Sequence, residues 1–359
     1  MTASVIGEPA QELPAAAWDR LVEANPNGTF YQLDAWARIK AATGWSPFRW
    51  RLDPTMALLA AQLLVIRRPP LPWGFAYGPR APFGLRLEER TIGDFTAGLR
   101  EVLGGGRIAL VRIDPEVEAG GPLDRDGAFV RGLAAAGWQP APPVQRPDSW
   151  LLDLRPGEET LWHGLRKKWR QHVNRARAHG VMIRAAGRDG LPAFHSLLKG
   201  TADRLGFVAR PLDTFERTWD ELAAENRVGL LFADAPTGEP LAALFLVRCG
   251  GRLSEPWGGH AVAAGDLHAN YLLKWESIRL ASAGGLTEYD MCGLVNPGIT
   301  YFKSGFGGRA IRYVGAWDLD LDRIGARAWR TATGAASAVR RLGRGGRGGD
   351  RGGEAGGDA

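Results

Sequence analysis

The sequence predicts an α/β protein made of two tandem domains that each contain a mixed sheet. Two observations support this fold class: one order of segments occurs twice, and apolar strand-like runs alternate with amphipathic helical patterns. The length of 359 residues is enough for two domains of ordinary size. An apolar content of 45% and a charged content of 23% are normal for chains that bury a core.

The first copy of the repeat begins with a buried-strand pattern at residues 57–67, ALLAAQLLVIR. An aromatic-glycine stretch at 73–75 comes next, and an amphipathic helix is predicted for residues 88–103. The glycines at 104–106 provide a natural stop for this helix. A short strand is then predicted at 107–114.

The second copy repeats this order with little sequence identity. Its strand pattern at 240–248, PLAALFLVR, precedes an aromatic-glycine stretch at 257–259. A helix is predicted for 266–283 and a strand for 286–293. An antiparallel meander followed by a helix and a further strand is the order of the N-acetyltransferase (GNAT) superfold. We therefore predict two tandem GNAT-like domains.

The domain boundary is predicted from a proline-rich linker at 140–147, which precedes a strand that starts at Trp150. The first domain is expected at 1–152, with residues 316–333 returning to pack on it. The second domain is expected at 153–315.

Composition limits the partners and the compartment. The formal net charge of +6 indicates an anionic partner such as nucleic acid, phosphate or a membrane surface. Cys249 and Cys292 match neither a metal-binding nor a disulfide pattern, so we expect no metal and a reducing, cytoplasmic compartment. The N-terminus lacks a signal-peptide pattern, and the apolar run at 56–66 is too short to span a bilayer, so any contact with the inner membrane face would be peripheral. The Gly/Arg-rich tail at 340–359 is expected to be disordered.

Four motif-bearing segments carry the functional assignment. They are residues 28–47, which contain Trp36 and Lys40; the basic helix at 161–179; residues 201–210, which contain Arg204 and Arg210; and residues 299–308, ITYFKSGFGG. In this order, with the duplicated domain between them, the segments resemble the Fem family of peptidoglycan bridge-forming aminoacyltransferases, over about residues 25–320.

The resemblance implies two acetyltransferase-like domains and an aminoacyl-tRNA donor, with no further cofactor. It implies that the acceptor is an amine on the stem peptide of a UDP- or lipid-linked muropeptide precursor. Some family members insert a long helical hairpin in the second domain. No coiled-coil insertion is evident in this sequence, so the chain resembles the shorter members.

The same resemblance suggests substrate-binding residues. Lys40 and Arg210 match motif positions that the family links to the phosphates of the precursor. We also assign substrate binding to other residues of the motif segments, namely Trp36, Arg204, Tyr301, Gly305 and Gly307.

The basic helix also suggests a function by its own pattern. No acidic residue occurs between Thr160 and Arg188, while Lys167, Arg170 and Arg177 fall on the face opposite the apolar one. Like charges this close repel each other, a cost that is easier to explain if an anion offsets it. We assign this face to tRNA or phosphate; the alternative is an ordinary solvated basic surface.

Lys303 and Asp290 are the candidate catalytic residues. Aminolysis of an ester develops negative charge on the carbonyl oxygen, and a fixed cation such as Lys303 stabilises it. Lys303 also matches the motif lysine that the resemblance implicates in catalysis; the alternative is an ordinary surface lysine. Asp290 could accept a proton from the attacking amine or could cap the next turn, and both roles stay open.

No nucleophile motif is evident in the sequence, so we expect direct transfer without a covalent enzyme intermediate. Two other function classes compete with this assignment. The first is an acyl-CoA-dependent N-acyltransferase of the same fold acting on an envelope or polysaccharide precursor, although the loop at 258–265 lacks the usual pyrophosphate-binding spacing. The second is a non-catalytic RNA- or envelope-binding protein.

Overall fold

The computed structural model describes residues 8–9, 13–52, 59–105 and 107–333. The chain divides into two compact units: the first runs to Pro147 and resumes at Tyr313, and the second is Asp148–Arg312. Each boundary lies a few residues before the one expected from the sequence. The reason is that the strand beginning at Asp148 pairs within the second sheet. The predicted tail at 340–359 lies outside the described residues.

The first unit contains a seven-stranded mixed sheet. Its strands are β1 Glu8–Pro9, β2 Ser46–Leu52, β3 Leu59–Arg67, β4 Gly74–Arg80, β5 Ile108–Pro115, β6 Gln139–Ala141 and β14 Ala316–Asp320. They are ordered β1-β2-β3-β4-β5-β14-β6. The helices are α1 Ala15–Ala24, α2 Asp34–Ala41, α3 Glu89–Gly104 and α4 Ala128–Ala135, with 3₁₀ turns at Phe30–Gln32 and Pro122–Gly127. Residues 323–333 are also helical.

The second unit has its own seven-stranded mixed sheet. Its strands are β7 Asp148–Asp153, β8 Met182–Ala186, β9 Val228–Asp234, β10 Pro240–Cys249, β11 Arg252–His260, β12 Glu288–Asp290 and β13 Arg309–Arg312. They are ordered β13-β7-β12-β11-β10-β9-β8. The helices are α5 Glu158–Gly164, α6 Lys167–Ala178, α7 Leu191–Leu205, α8 Leu212–Ala223, α9 Ala269–Ala283 and α10 Pro297–Ser304, with 3₁₀ turns at Arg188–Gly190 and Val262–Ala264.

The predicted duplication is confirmed. In the first unit, β3 and β4 are antiparallel, α3 follows, and β5 returns parallel to β4. In the second unit, β10, β11, α9 and β12 repeat this arrangement. The expectation of no coiled-coil arm also agrees with the described part of the second unit, where the longest helices, α7 and α9, have 15 residues each. Within the described residues, no helix is both long and apolar enough to cross a membrane.

The predicted basic helix at 161–179 is wrong as a single element. It is divided into α5 and α6, because Leu165 and Arg166 adopt extended backbone angles. The backbone N–H of Arg166 donates to the Gly305 carbonyl at 2.9 Å instead of continuing the helix. The predicted apolar face is nevertheless correct, since Trp169 and Val173 are buried in the core of the second unit.

The predicted strand at 286–293 is also too long. The strand contains only Glu288–Asp290, because Cys292 has a left-handed φ of 58° that ends the extended chain. The backbone N–H of Met291 bonds to the Trp150 carbonyl of β7 at 2.9 Å. The chain therefore follows β7 and leaves β11 at this point.

Candidate active site

The second sheet opens where its two parallel strands, β11 and β12, separate. Their pairing ends with Ser254 opposite Asp290. Pro256, just beyond, has no amide N–H to extend the ladder, and Cys292 turns the other strand away. We call the group of side chains at this separation the strand cleft. Its members lie within electrostatic range of one another and are Glu255, Lys274, Tyr289, Cys292 and Lys303.

Lys303 on α10 provides the buried cation of the strand cleft. The residue is 8% exposed, and its Nζ donates to the carbonyl oxygens of Cys292 at 3.0 Å and Gly293 at 2.7 Å. An ammonium group has three N–H donors, so one remains available for a ligand. Burial, and then the positive charge of Lys274, lowers the pKa of Lys303. A fixed, poorly hydrated cation of this kind interacts strongly with a developing oxyanion.

A buried ion pair adjoins this lysine. The Nζ of Lys274 on α9 contacts Oε2 of Glu255, and the two side chains are 3% and 10% exposed. The hydroxyl of Tyr289 donates to the same carboxylate oxygen at 2.7 Å. Burial raises the pKa of Tyr289 well above its usual value, so this hydroxyl keeps its proton. The Glu255 carboxylate also lies within electrostatic range of Cys292 and Lys303.

Asp290 lies at the rim of the strand cleft, two residues before Cys292. Its Oδ1 accepts a hydrogen bond from the Ser149 hydroxyl and one from the Cys292 backbone N–H at 2.8 Å. These bonds cap the left-handed turn at Cys292, which matches the turn-capping alternative that the sequence left open. The two catalytic candidates, Asp290 and Lys303, therefore contact the same short segment, residues 290–293.

The two thiols of the second unit are poorly suited to nucleophilic attack. Burial, and then the negative charge of Asp290, raises the pKa of Cys292 well above its usual value. Because the thiolate is the reactive form, this cysteine is held in its unreactive state. Cys249 is buried at the end of β10.

Tyr301 is on α10 but outside the strand cleft. Two residues on a helix differ by about 200° in direction, which separates Tyr301 from Lys303. Tyr301 is 58% exposed and lines a shallow groove of about 740 Å³ with Asp148, Val295 and Asn296. The Asn296 side chain accepts the Ile299 backbone N–H at 2.9 Å and so fixes the start of α10. The groove therefore offers a surface on the opposite face of the helix that carries Lys303.

The predicted substrate-binding glycines have clear packing roles. A Cβ added at Gly305 would lie 2.1 Å from the Trp169 ring, so no larger residue fits there. Gly307 has φ of 85°, which favours glycine, and its carbonyl accepts the Trp150 indole N–H at 2.6 Å. Both glycines hold the segment after α10 against the core.

Some cations on the basic face of α6 bond to neighbouring residues, and others are exposed. Arg170 donates to the carbonyl oxygens of His163 and Leu165, at the end of α5. Arg177 pairs with Glu276 of α9 at 2.7 Å. Lys167, in contrast, is exposed and makes no ion pair with the described residues. Of the three residues assigned to tRNA or phosphate, Lys167 is thus the one that the described residues leave exposed for an anionic ligand.

Arg204 lies in the last turn of α7, and Arg210 lies in the segment between α7 and α8. The guanidinium of Arg204 donates to the Thr201 hydroxyl at 3.2 Å and to the His260 carbonyl at the end of β11. The backbone carbonyl of Arg210 contacts His195 at 3.0 Å, and its side chain is half-buried.

Trp36 and Lys40 belong to the first unit and lie one turn apart on α2. The Lys40 ammonium is 5.4 Å from the centre of the Trp36 ring. Trp36 packs edge-on against Phe30 and Tyr31, with ring centres 5.7 and 4.8 Å away. The structure therefore brings these two candidates together, in an aromatic cluster of the first unit.

A family comparison accounts for this combination of fold and motifs. The model of the FemAB family matches residues 13–244 and 230–333. The chain belongs to the FemAB family. This agrees with the resemblance found from the sequence.

Individual relatives and solved structures agree with this family membership. The lipid II:glycine glycyltransferase of Staphylococcus aureus (strain MRSA252) is 26% identical over 233 residues, which cover 62% of this chain and 54% of that protein. The chain thus matches about half the length of its curated relatives. The crystal structure of FemX superposes with a TM-score of 0.79 at 19% identity, covering 88% of this chain and 98% of that chain. A tandem GNAT protein from the clavulanic acid biosynthesis pathway gives a TM-score of 0.52 at 13% identity, covering 88% and 98%.

Sequence reasoning missed the ion pair of Glu255 and Lys274. In the sequence, Lys274 belongs to a helix whose neighbours are apolar, and Glu255 stands in a strand between serine and proline. A charged residue at a position that the pattern assigns to the core is the signal that could have revealed each of them.

Proposed function

We propose that this FemAB-family chain transfers an amino acid from an aminoacyl-tRNA to an amine on the stem peptide of a lipid-linked peptidoglycan precursor. Relatives named lipid II:glycine glycyltransferase support both the class of reaction and the lipid-linked acceptor. Because charged tRNA is a cytoplasmic molecule, we place the reaction in the cytoplasm, at the inner face of the membrane.

The buried ammonium group of Lys303 is the observation that carries this proposal. The donor ester is already activated, so the enzyme has to bring the two substrates together and stabilise the charge that develops on the carbonyl oxygen. Lys303 is held by the carbonyls of Cys292 and Gly293, which leaves one N–H for that oxygen. The cation needs no reorganisation during the reaction, because its two partners already fix its position.

The chemistry of the cysteines supports direct transfer. Cys292 is the thiol within the strand cleft, and its raised pKa keeps it protonated at neutral pH. An acyl-enzyme intermediate would require the thiolate. The attacking amine is therefore proposed to react with the donor ester itself.

A reconstitution assay tests the proposed function. The purified chain is incubated with a mixture of charged tRNAs and either lipid II or the UDP-linked muropeptide, and the muropeptide products are identified by mass spectrometry. A muropeptide that gains an amino acid only when charged tRNA is present supports the proposal. A product formed only with acyl-CoA in place of charged tRNA, or no product with any donor, would overturn it.

A further inference from the structure

We propose that the Glu255 carboxylate is the binding site for the ammonium group of the acceptor and receives its proton. This inference rests on the proposed function, because it concerns the amine of that reaction. It assigns to the strand cleft an anionic binding group next to the cationic one of Lys303.

The hydrogen bonding of Glu255 leaves one carboxylate oxygen for a ligand. Lys274 and Tyr289 both bond to Oε2. Oε1 accepts no hydrogen bond from the described residues and is not one of their fully buried unpartnered atoms, so it keeps some contact with solvent. Lys274 and Tyr289 thus hold Oε2, and Oε1 remains as an acceptor for a ligand.

The position of Glu255 suits the chemistry. It is the first residue after the strands separate, and it lies within electrostatic range of Cys292 and Lys303. The carbonyl of that same cysteine holds Lys303. The anion proposed to bind the amine and the cation proposed to stabilise the oxyanion therefore lie near each other, as two reacting groups in contact require.

Asp290 is less suited to the role. Its Oδ1 already accepts bonds from Ser149 and from the Cys292 backbone, which support the turn. The two bonds of Glu255 instead come from the side chains of Lys274 and Tyr289, so they orient the carboxylate without committing it to a backbone turn.

The proton transfer balances without a further reactant. The acceptor ammonium gives one proton to Oε1 of Glu255, and the neutral nitrogen attacks the carbonyl carbon of the donor ester. The C–N bond forms and the C–O bond to the donor ribose breaks, while the leaving oxygen takes a second proton from the nitrogen. Glu255 then releases its proton to solvent, and the products are an amide and a free ribose hydroxyl.

Equilibrium binding tests the site independently of turnover. The probes are a UDP-linked muropeptide with a free side-chain amine and the same muropeptide acetylated at that amine. We expect the wild-type chain to bind the free amine roughly tenfold to a hundredfold more tightly, as is typical of a charge-assisted hydrogen bond. Glu255→Gln should abolish this preference, and Glu255→Asp should restore part of it. Glu288→Gln is the matched control, since Glu288 on β12 pairs with Arg252 and should leave the preference intact.

A second variant guards against a folding defect. Glu255→Gln leaves Lys274 without its counter-ion, whereas Glu255→Gln/Lys274→Met removes the buried pair as a unit. The double variant should also bind the two muropeptides equally. Equal binding of the two probes by the wild-type chain, or a preference that survives in both variants, would overturn the assignment of Glu255. A preference without transferase activity would instead contradict the proposed function and leave the amine site standing.

Discussion

Among the described residues, each unit contains one parallel strand pair at the same place in the duplicated order, and the two pairs differ. In the first unit, β4 and β5 stay paired from Gly74 opposite Ile108 to Arg80 opposite Pro115, with one register shift between Gly74 and Phe75. In the second unit, β11 and β12 separate after three residue pairs. The same arrangement of strands and helix is therefore closed in one unit and open in the other.

A tyrosine–carboxylate bond joins the parallel strands in both units. Tyr77 donates to Asp114 at 2.7 Å, and Tyr289 donates to Glu255 at 2.7 Å. Asp114 also lies 3.3 Å from the backbone N–H groups of Val144 and Gln145, so its bonds are internal. Glu255 instead lies where β11 and β12 separate, close to the buried Lys274 and Lys303. The two pairs therefore differ in how their buried cations are held: Arg80 of the closed pair ion-pairs with Glu116 at 2.9 Å, whereas Lys303 of the open pair bonds to two backbone carbonyls.

The largest effect is expected at the buried cation of the open pair. Lys303→Ala should lower turnover about a hundredfold to a thousandfold, the usual loss when one oxyanion donor is removed. Lys303→Arg keeps a cation and should retain part of the activity. Single-turnover rates with charged tRNA and precursor measure the effect, and circular dichroism checks the fold. Near-wild-type turnover in Lys303→Ala would show that the cation is dispensable.

A pair of glycine substitutions compares the packing of the two units. Gly305→Ala places a Cβ 2.1 Å from the Trp169 ring, and Gly98→Ala on α3 places one 2.2 Å from the Trp50 ring. Each should lower the free energy of unfolding by about 1–3 kcal/mol, as overpacked cores do. Only Gly305→Ala should also lower turnover, since Gly305 directly follows the helix that carries Lys303. Denaturant titration measures the loss of stability, and activity assays measure the loss of turnover. Equal losses of turnover in Gly305→Ala and Gly98→Ala would show that the packing at Gly305 has no special link to activity.

The pH dependence of turnover reports on the same lysine. Burial lowers the pKa of Lys303 from its usual value of 10.5, so its positive charge is lost at a lower pH than that of an exposed lysine. Because the charged form is the one that stabilises the oxyanion, turnover should fall as pH rises through this lowered pKa. Lys303→Arg should show no such fall, since arginine stays protonated. A wild-type rate that keeps rising to pH 10.5 would contradict the role of the ammonium group.

The smallest effect is expected on the basic face of α6. Lys167→Ala/Lys168→Ala removes two exposed cations and should lower the salt dependence of tRNA binding by roughly two in the logarithmic slope. Arg170→Ala should leave the slope unchanged and reduce stability instead, because Arg170 bonds the carbonyls of His163 and Leu165. Filter binding over a salt series measures both slopes. If only Arg170→Ala lowered the salt slope, Arg170 would be the tRNA-binding cation and the two lysines would not.

The repeated order of strands and helix was predictable from the sequence, because each element has its own local pattern. Runs such as 240–248 and the helix before Gly284 carry their own periodicity and stop signals. The position of Lys303 within a glycine-rich motif was likewise visible in the sequence.

The opening between the strands was not predictable in this way. It depends on Pro256 and on the left-handed turn at Cys292, two positions that are far apart in the chain and become neighbours only in the folded sheet. The pairing of Glu255 with Lys274 was missed for the same reason. Tertiary contacts also explain the break between α5 and α6, where Arg166 bonds to Gly305.

A rapid-quench experiment tests direct transfer at the open strand pair most directly. The wild-type chain and Cys292→Ser are mixed with labelled aminoacyl-tRNA and precursor, and intact-protein mass and product are followed within one turnover. We predict that label passes from tRNA to the muropeptide in both proteins at similar rates, with no acylated protein at any time. Label that appears first on the protein and then on the muropeptide, and is lost in Cys292→Ser, would contradict direct transfer.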